Sequence, residues 1–170
     1  MEKLIIYTDG SCRGNGKAEN TGGYGFIILN NEEEVLVKVG KQEFNTTNNR
    51  MEMMAIIHGI SAALCCLKSS DFSLEIYTDS AYVHNCKSQK WYKSWESNDW
   101  KNSKKEPVKN QDLWKLLIFF FEDSRFSFNK VKGHAGNKYN EIVDKLAVAA
   151  SDGNETEEGV TWKKNESSCS

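Results

Sequence analysis

Four acidic residues stand where chemistry could be done. Asp9 and Asp79 each close an apolar run, in IIYTDGS and LEIYTDS, and the two runs share Tyr-Thr-Asp followed by a small residue. Open sheets that carry helices build their sites at the carboxyl ends of strands, which is where both aspartates fall. Glu52 stands early in a long helical pattern and Asp144 in the last one. Each acid also has an ordinary reading. Asp9-Gly10 is a common turn pair, Asp79 could cap a helix beginning at Ser80, Glu52 could close a capping box with Asn49, and Asp144 could lie on a solvated face. Gathered in one pocket, the four would repel, or push a pKa upward, unless a cation compensates them. Hard oxygen donors, with no paired histidines or cysteines, suit Mg²⁺ or Mn²⁺ rather than Zn²⁺. Spacing alone leaves open whether they converge.

The elements that must position them follow from apolar periodicity. Lys3–Thr8 reads as a strand, 12–21 as a polar loop, and Gly23–Leu29 and Glu34–Gly40 as a hairpin about the turn at Asn30-Asn31. Met53, Ile56, Ile57, Ile60 and Leu64 define a helix from about Asn49 to Leu67. A strand over Ser73–Tyr77 and a short helix opened by Thr78-Asp79-Ser80 come next. An apolar helix over Asp112–Phe121, expected to be buried, precedes a fifth strand at Arg125–Val131. A glycine-bearing loop, 132–137, and a closing helix over Tyr139–Ala150 complete the pattern. The order β-β-β-α-β-α-α-β-α implies an α/β fold, one mixed sheet with helices on its faces.

At 170 residues the chain is long enough for about one domain. We expect that domain over residues 1–150, with 151–170 a flexible acidic tail of five acids and two lysines. No apolar run reaches the ~20 residues that span a bilayer, so no membrane partner is expected. The five cysteines form an odd set without CxxC spacing, which fits reduced thiols and a cytoplasmic protein, or a nuclear or organellar one in a eukaryote. Net charge is −2, an average that conceals a segregation. Between Lys87 and Lys105 six lysines stand against two acids, interleaved with tryptophans. A local field of that sign attracts polyanions whatever the total.

Five stretches, in order, carry a resemblance: YTDGSCRGN, TTNNRMEM, YTDSAYV, KEPVKNQDLW, and VKGHAGN followed by NEIVD. From about Leu4 to Ala150 the chain resembles the type 1 ribonucleases H, which cut the RNA strand of RNA–DNA hybrids. The resemblance implies a ribonuclease H-like fold, a five-stranded mixed sheet flanked by helices, in a monomer. It implies that Asp9, Glu52, Asp79 and Asp144 are catalytic ligands of two Mg²⁺ ions, with Mn²⁺ a possible substitute. It makes His134 the loop histidine that helps proton transfer or product departure, and the products 5′-phosphate and 3′-hydroxyl ends. Asn15, Asn48 and Asn49 match residues that contact RNA 2′-hydroxyls, the groups by which RNA is told from DNA. Thr47 and Asn110 match residues that hold a DNA phosphate. Tyr82, Trp91 and Trp95, and more loosely Ser103, match the channel for the DNA strand. Lys87, Lys90, Lys93, Lys101, Lys104 and Lys105 fit a basic protrusion over the phosphates. Two positions depart from some relatives: Asn45, where they carry arginine, and Ala81, where they carry a longer side chain. The alternatives are the ribonuclease H part of a reverse transcriptase and a hybrid-binding protein without activity; the latter is expected to have lost at least one of the four acids. Neutralising three of the protrusion's lysines is expected to weaken hybrid binding and to flatten its dependence on salt, read as the slope of log K against log salt.

Overall fold

The computed structural model describes residues 1–15, 17–131 and 137–159. Strand β1 (Glu2–Arg13) extends five residues beyond the expected run. It stays extended because β2 (Thr21–Leu29) pairs with it antiparallel from Ile5↔Leu29 to Arg13↔Thr21. Asp9-Gly10 is therefore mid-strand and not a turn. A second antiparallel partner, β3 (Val35–Phe44), follows β2, and α1 (Asn48–Cys66) then crosses the sheet. Strand β4 (Phe72–Thr78) returns parallel to β1, in register at Tyr7↔Tyr77. Helices α2 (Ala81–Gln89), α3 (Trp91–Ser97) and α4 (Gln111–Phe121) precede β5 (Phe126–Lys130), which is parallel to β4. Helix α5 (Lys138–Ser151) and β6 (Thr156–Glu158) end the described chain, and the sheet order is β5-β4-β1-β2-β3-β6.

Three expectations need correction. The sheet has six strands, since Thr156–Glu158 pairs with Gly40–Lys38 inside the stretch expected to be a loose tail. The acids there have partners that composition does not reveal. Lys41 Nζ lies 2.6 Å from Glu157, the Gln42 N–H donates to Glu155, and Arg13 pairs with Asp152. The basic stretch contains a helix of its own, α3, joined to α2 through Lys90 in the left-handed conformation. Helix α4 is buried on one face only. Leu113, Trp114, Leu117 and Phe121 point inward, while Leu116 and Phe119 are exposed.

Alternate residues of a strand face opposite sides of a sheet, so two apolar layers form. On one side Leu4, Ile6, Phe26 and Ile28 pack with Met53, Ile56 and Ile60 of α1 and with α4. On the other, Ile27 and Leu29 pack with Val143 of α5, flanked by Ile5, Tyr7 and Leu146. Helix α5 lies directly on the β2 backbone. A Cβ at Gly23 would overlap the Ala147 carbonyl and the Ser151 N–H, and no side chain can yield there. Gly23→Ala is therefore expected to destabilise the full chain by about 3 kcal/mol or more, through displacement of α5, as measured by chemical denaturation.

Candidate active site and substrate groove

The parallel β1/β4 pairing carries the chain on from Tyr7↔Tyr77 so that Asp9 and Asp79 stand side by side. Asp79 is not used as a cap. Ser80 caps α2, its hydroxyl accepting from the Val83 N–H at 3.2 Å. Nor does Glu52 close a capping box. Thr47 caps α1, accepting from the Arg50 N–H, which puts Glu52 in the second turn with its side chain turned to the sheet. Gly10 lets α1 come this close, since a Cβ there would overlap the backbone of Met51 and Glu52. Carboxylate oxygens of Asp9, Glu52 and Asp79 lie within 4.8 Å of one another. They line a cavity of about 190 Å³ whose wall also includes Asp144, so that all four acids share it. His134 lies outside the described residues.

Crowding shows in the acids' proton affinities. Asp9 is only 5% exposed. Burial pushes its pKa up to about 7, aided by the charges of Asp79 and Asp144 and opposed by hydrogen bonds from Glu52 and from the Gly10 N–H, 2.8 Å from Oδ1. Burial, then the charges of Asp9 and Asp79, raises Glu52 well above the ordinary carboxyl range. Glu52 Oε2 is shut off from solvent without a hydrogen-bond partner. An orphaned carboxylate oxygen among two other carboxylates is a donor set that fits a hard divalent cation. Asn140, one turn before Asp144 on α5, is buried in the same wall with its Oδ1 unpartnered. The sequence reading missed Asn140, although its i, i+4 spacing to Asp144 was a usable signal.

A second depression, about 560 Å³, adjoins the first, and Asn48 lines both. Asn15, Thr47, Asn49 and Asn110 also line it, bringing the three asparagines, the threonine and Asn110 together. Asn15 Oδ1 accepts from the Asn48 N–H at 3.2 Å, which ties the loop after β1 to the start of α1. Lys109 lines it as well, a cation the sequence reading did not single out. Tyr82, Trp91 and Trp95 form a chain of tilted rings with Trp100 and Trp114, half-buried against the core. Ser103 is exposed in the loop beyond α3. Of the lysines, Lys90, Lys101, Lys104 and Lys105 are exposed, Lys93 pairs with Glu122 at 2.7 Å, and Lys87 is half-buried over the Phe128 ring. Asn45 sits in the left-handed region, φ 51°, at the exit of β3, and Ala81 is exposed at the start of α2.

The mixed sheet thus presents a carboxylate cluster beyond the β1/β4 junction, faced by the long helix. The family model for RNase H matches residues 1–152, and the chain belongs to the RNase H family. It is 44% identical over 152 residues to the Ribonuclease H of Clostridium botulinum, covering 89% of this chain and 97% of that one. Among solved structures, a type 1 RNase H with the type 2 active-site motif superposes with a TM-score of 0.75 at 30% identity, over 94% of this chain and 76% of that one. An RNase H1 solved in complex with RNA/DNA hybrid shares the fold, with a TM-score of 0.65 at 23% identity over 88% of this chain and 97% of that one. Among the described residues, no helix is long and apolar enough to cross a membrane.

In the metal-free protein Asp9 and Glu52 hold protons more tightly folded than unfolded. Between the ordinary carboxyl range and about pH 7 the folded chain then binds more protons than the unfolded one, so stability falls as pH rises through that window. In chelator, the melting temperature is expected to be higher at about pH 5 than at about pH 7.5, and Glu52→Gln to flatten that difference. An identical pH dependence in the variant would contradict the crowding of these acids.

Proposed function

We propose that the protein is an endonuclease that hydrolyses the RNA strand of RNA–DNA hybrids, leaving 5′-phosphate and 3′-hydroxyl ends. The observation that carries this reading is the shared wall. Asn48 belongs both to the cavity of the four acids and to the groove of asparagines, so recognition and cleavage adjoin. Asn15, Asn48 and Asn49 offer amides able to donate to and accept from 2′-hydroxyls, which a DNA strand lacks. Thr47 keeps its hydroxyl proton to donate, because its oxygen already accepts from Arg50. Its position at the N-terminus of α1, with the helix dipole behind it, suits a phosphate of the DNA strand. Asn110 faces the same groove and supplies a further donor.

Asp9, Glu52, Asp79 and Asp144 would hold divalent cations of the Mg²⁺ type, two in the reading we favour, with Mn²⁺ a substitute. Such ions supply positive charge beside a scissile phosphate, where the attacking and leaving oxygens build up negative charge. The chain's own part is to orient and exclude. The mid-strand position of Asp9 and the close approach of α1 at Gly10 fix the carboxylates before substrate arrives. His134 is proposed to assist proton transfer or product departure. Tyr82, Trp91 and Trp95 would flank the DNA strand, with Ser103 beside them, and Lys87, Lys90, Lys93, Lys101, Lys104 and Lys105 would meet its phosphates. We propose a monomer acting in the cytoplasm. A hybrid-binding protein without activity is the weaker reading, since all four acids are present and line one cavity.

Labelled RNA–DNA hybrid, duplex RNA and duplex DNA, each incubated with Mg²⁺ with and without chelator, test the assignment. Only the RNA of the hybrid is expected to be cut, and only without chelator. Asp9→Asn is expected to lower cleavage at least about 1,000-fold while keeping hybrid binding and without lowering the melting temperature. A fully active variant would refute it.

A further inference from the structure

Arg50, three residues after the cap of α1, links the two helix starts that flank the groove. Its guanidinium leaves α1 and crosses to the start of α4. There Nη1 and Nη2 donate to the two oxygens of Asp112 at 3.0 and 2.9 Å, and Nη1 also donates to Asn110 Oδ1 at 3.2 Å. The other side of that amide is held as well. Asn110 Nδ2 donates to the Tyr82 hydroxyl at 3.3 Å, and this hydroxyl accepts from Trp114 Nε1 at 3.0 Å. Trp114 is fully buried, so the far end of the network is anchored in the core.

Asn110 needs such holding. It lies in the left-handed region, φ 62°, and its side chain makes no capping bond to α4. An asparagine amide can turn over and exchange its donor for its acceptor. A guanidinium has no acceptor, so contact with it fixes the carbonyl on that side and the amino group on the other. One amide N–H then remains unspent on a side chain that lines the groove opposite Thr47.

We propose that Arg50 is a positioning residue for substrate, which orients the Asn110 amide and sets the distance between Asn110 and Thr47 across the groove. The inference rests on the reading of this groove as the seat of a DNA-strand phosphate. Arg50 itself is matched by Asp112 at contact distance, and its pairing holds the Asp112 carboxyl below the usual range. Its role is therefore geometric and adds little net charge to the groove. A lysine would keep the charge but offers no planar fork for three simultaneous contacts.

The test uses the full-length protein with Mg²⁺ and hybrid substrate. Arg50→Lys and Asp112→Asn are each expected to raise KM about five- to tenfold, with kcat within about twofold and the salt slope of hybrid binding unchanged. The Asp112 variant discriminates by sign, because loss of a negative charge beside the groove would lower KM if only net charge mattered. A wild-type KM in Arg50→Lys, a lowered KM in Asp112→Asn, or a salt slope reduced by about one in Arg50→Met would overturn the proposal, the last by making Arg50 a direct phosphate contact. Both side chains of the pair are partly open to solvent, 31% and 62%, so the variants are expected to fold, which melting curves verify. If the wild-type protein fails to bind hybrid at all, the groove reading falls and the brace with it. If it binds and the variants behave as wild type, the brace alone falls.

Discussion

The constraint on which the rest depends is the mutual repulsion of carboxylates that the backbone forces together. Asp9 and Asp79 arrive on parallel neighbours, and Glu52 is brought in by a helix that only Gly10 allows so near. Among the described residues, no lysine or arginine pairs with any of the three at contact distance. Two apolar layers on opposite faces of the sheet hold the arrangement in place. The fold thus stores an unfavourable local interaction that its distributed cores outweigh, the usual relation between a preorganised site and its scaffold. Raised proton affinity at Asp9 and Glu52 and the orphaned Oε2 are two expressions of that stored repulsion.

Helix α1 converts this constraint into a ruler. Thr47, Asn48 and Asn49 open it and Glu52 follows one turn later. Five residues from Thr47 to Glu52 at 1.5 Å rise make about 7.5 Å along a rigid axis. In the proposed reading, no hinge would separate the grip at the start of the helix from the acids that face the other strand. The brace from Arg50 to the start of α4 extends the same rigidity sideways, across the groove. The dipoles of α1 and α4 both point their positive ends at the groove, whereas α5 brings an acid, Asp144, to the cavity.

Much of this was legible in the sequence because long signatures bracket each acid. The topology also followed, since an apolar hairpin, a long amphipathic helix and a later βαβ unit admit few arrangements. What was not legible had local physical reasons. Asp-Gly reads as a turn, and only the partner strand reveals that its backbone is extended here. Asn49 and Glu52 have capping-box spacing, but Thr47 outcompetes Asn49 for the cap, and the shift of two residues turns Glu52 from the helix end to the sheet. Acidic composition made residues 151–170 look loose, yet at 152, 155 and 157 the acids meet Arg13, Gln42 and Lys41, and the backbone completes a sheet edge. Phe119 looked like core because composition cannot tell the two faces of an apolar helix apart.

The basic segment illustrates how one stretch can carry scaffold and surface at once. Its tryptophans are spaced so that Trp95 touches Trp91, Trp100 and Trp114 in turn, which packs α3 and the loop beyond it onto α4. That packing leaves Trp91, Trp95 and Trp100 half-buried against the core. The lysines divide in the same way. Lys93 is drawn to Glu122 and Lys87 lies over Phe128, so these two partly serve the fold. Lys90, at the left-handed junction of α2 and α3, and Lys101, Lys104 and Lys105 in the loop are exposed to solvent instead. The net charge of the chain is slightly negative, an average over local extremes: Asp9, Glu52, Asp79, Glu141 and Asp144 line one cavity, whereas Lys87 to Lys105 hold six lysines against two acids. In the proposed reading, a polyanion would be attracted by the basic segment, and its approach to the carboxylates would depend on cations held there.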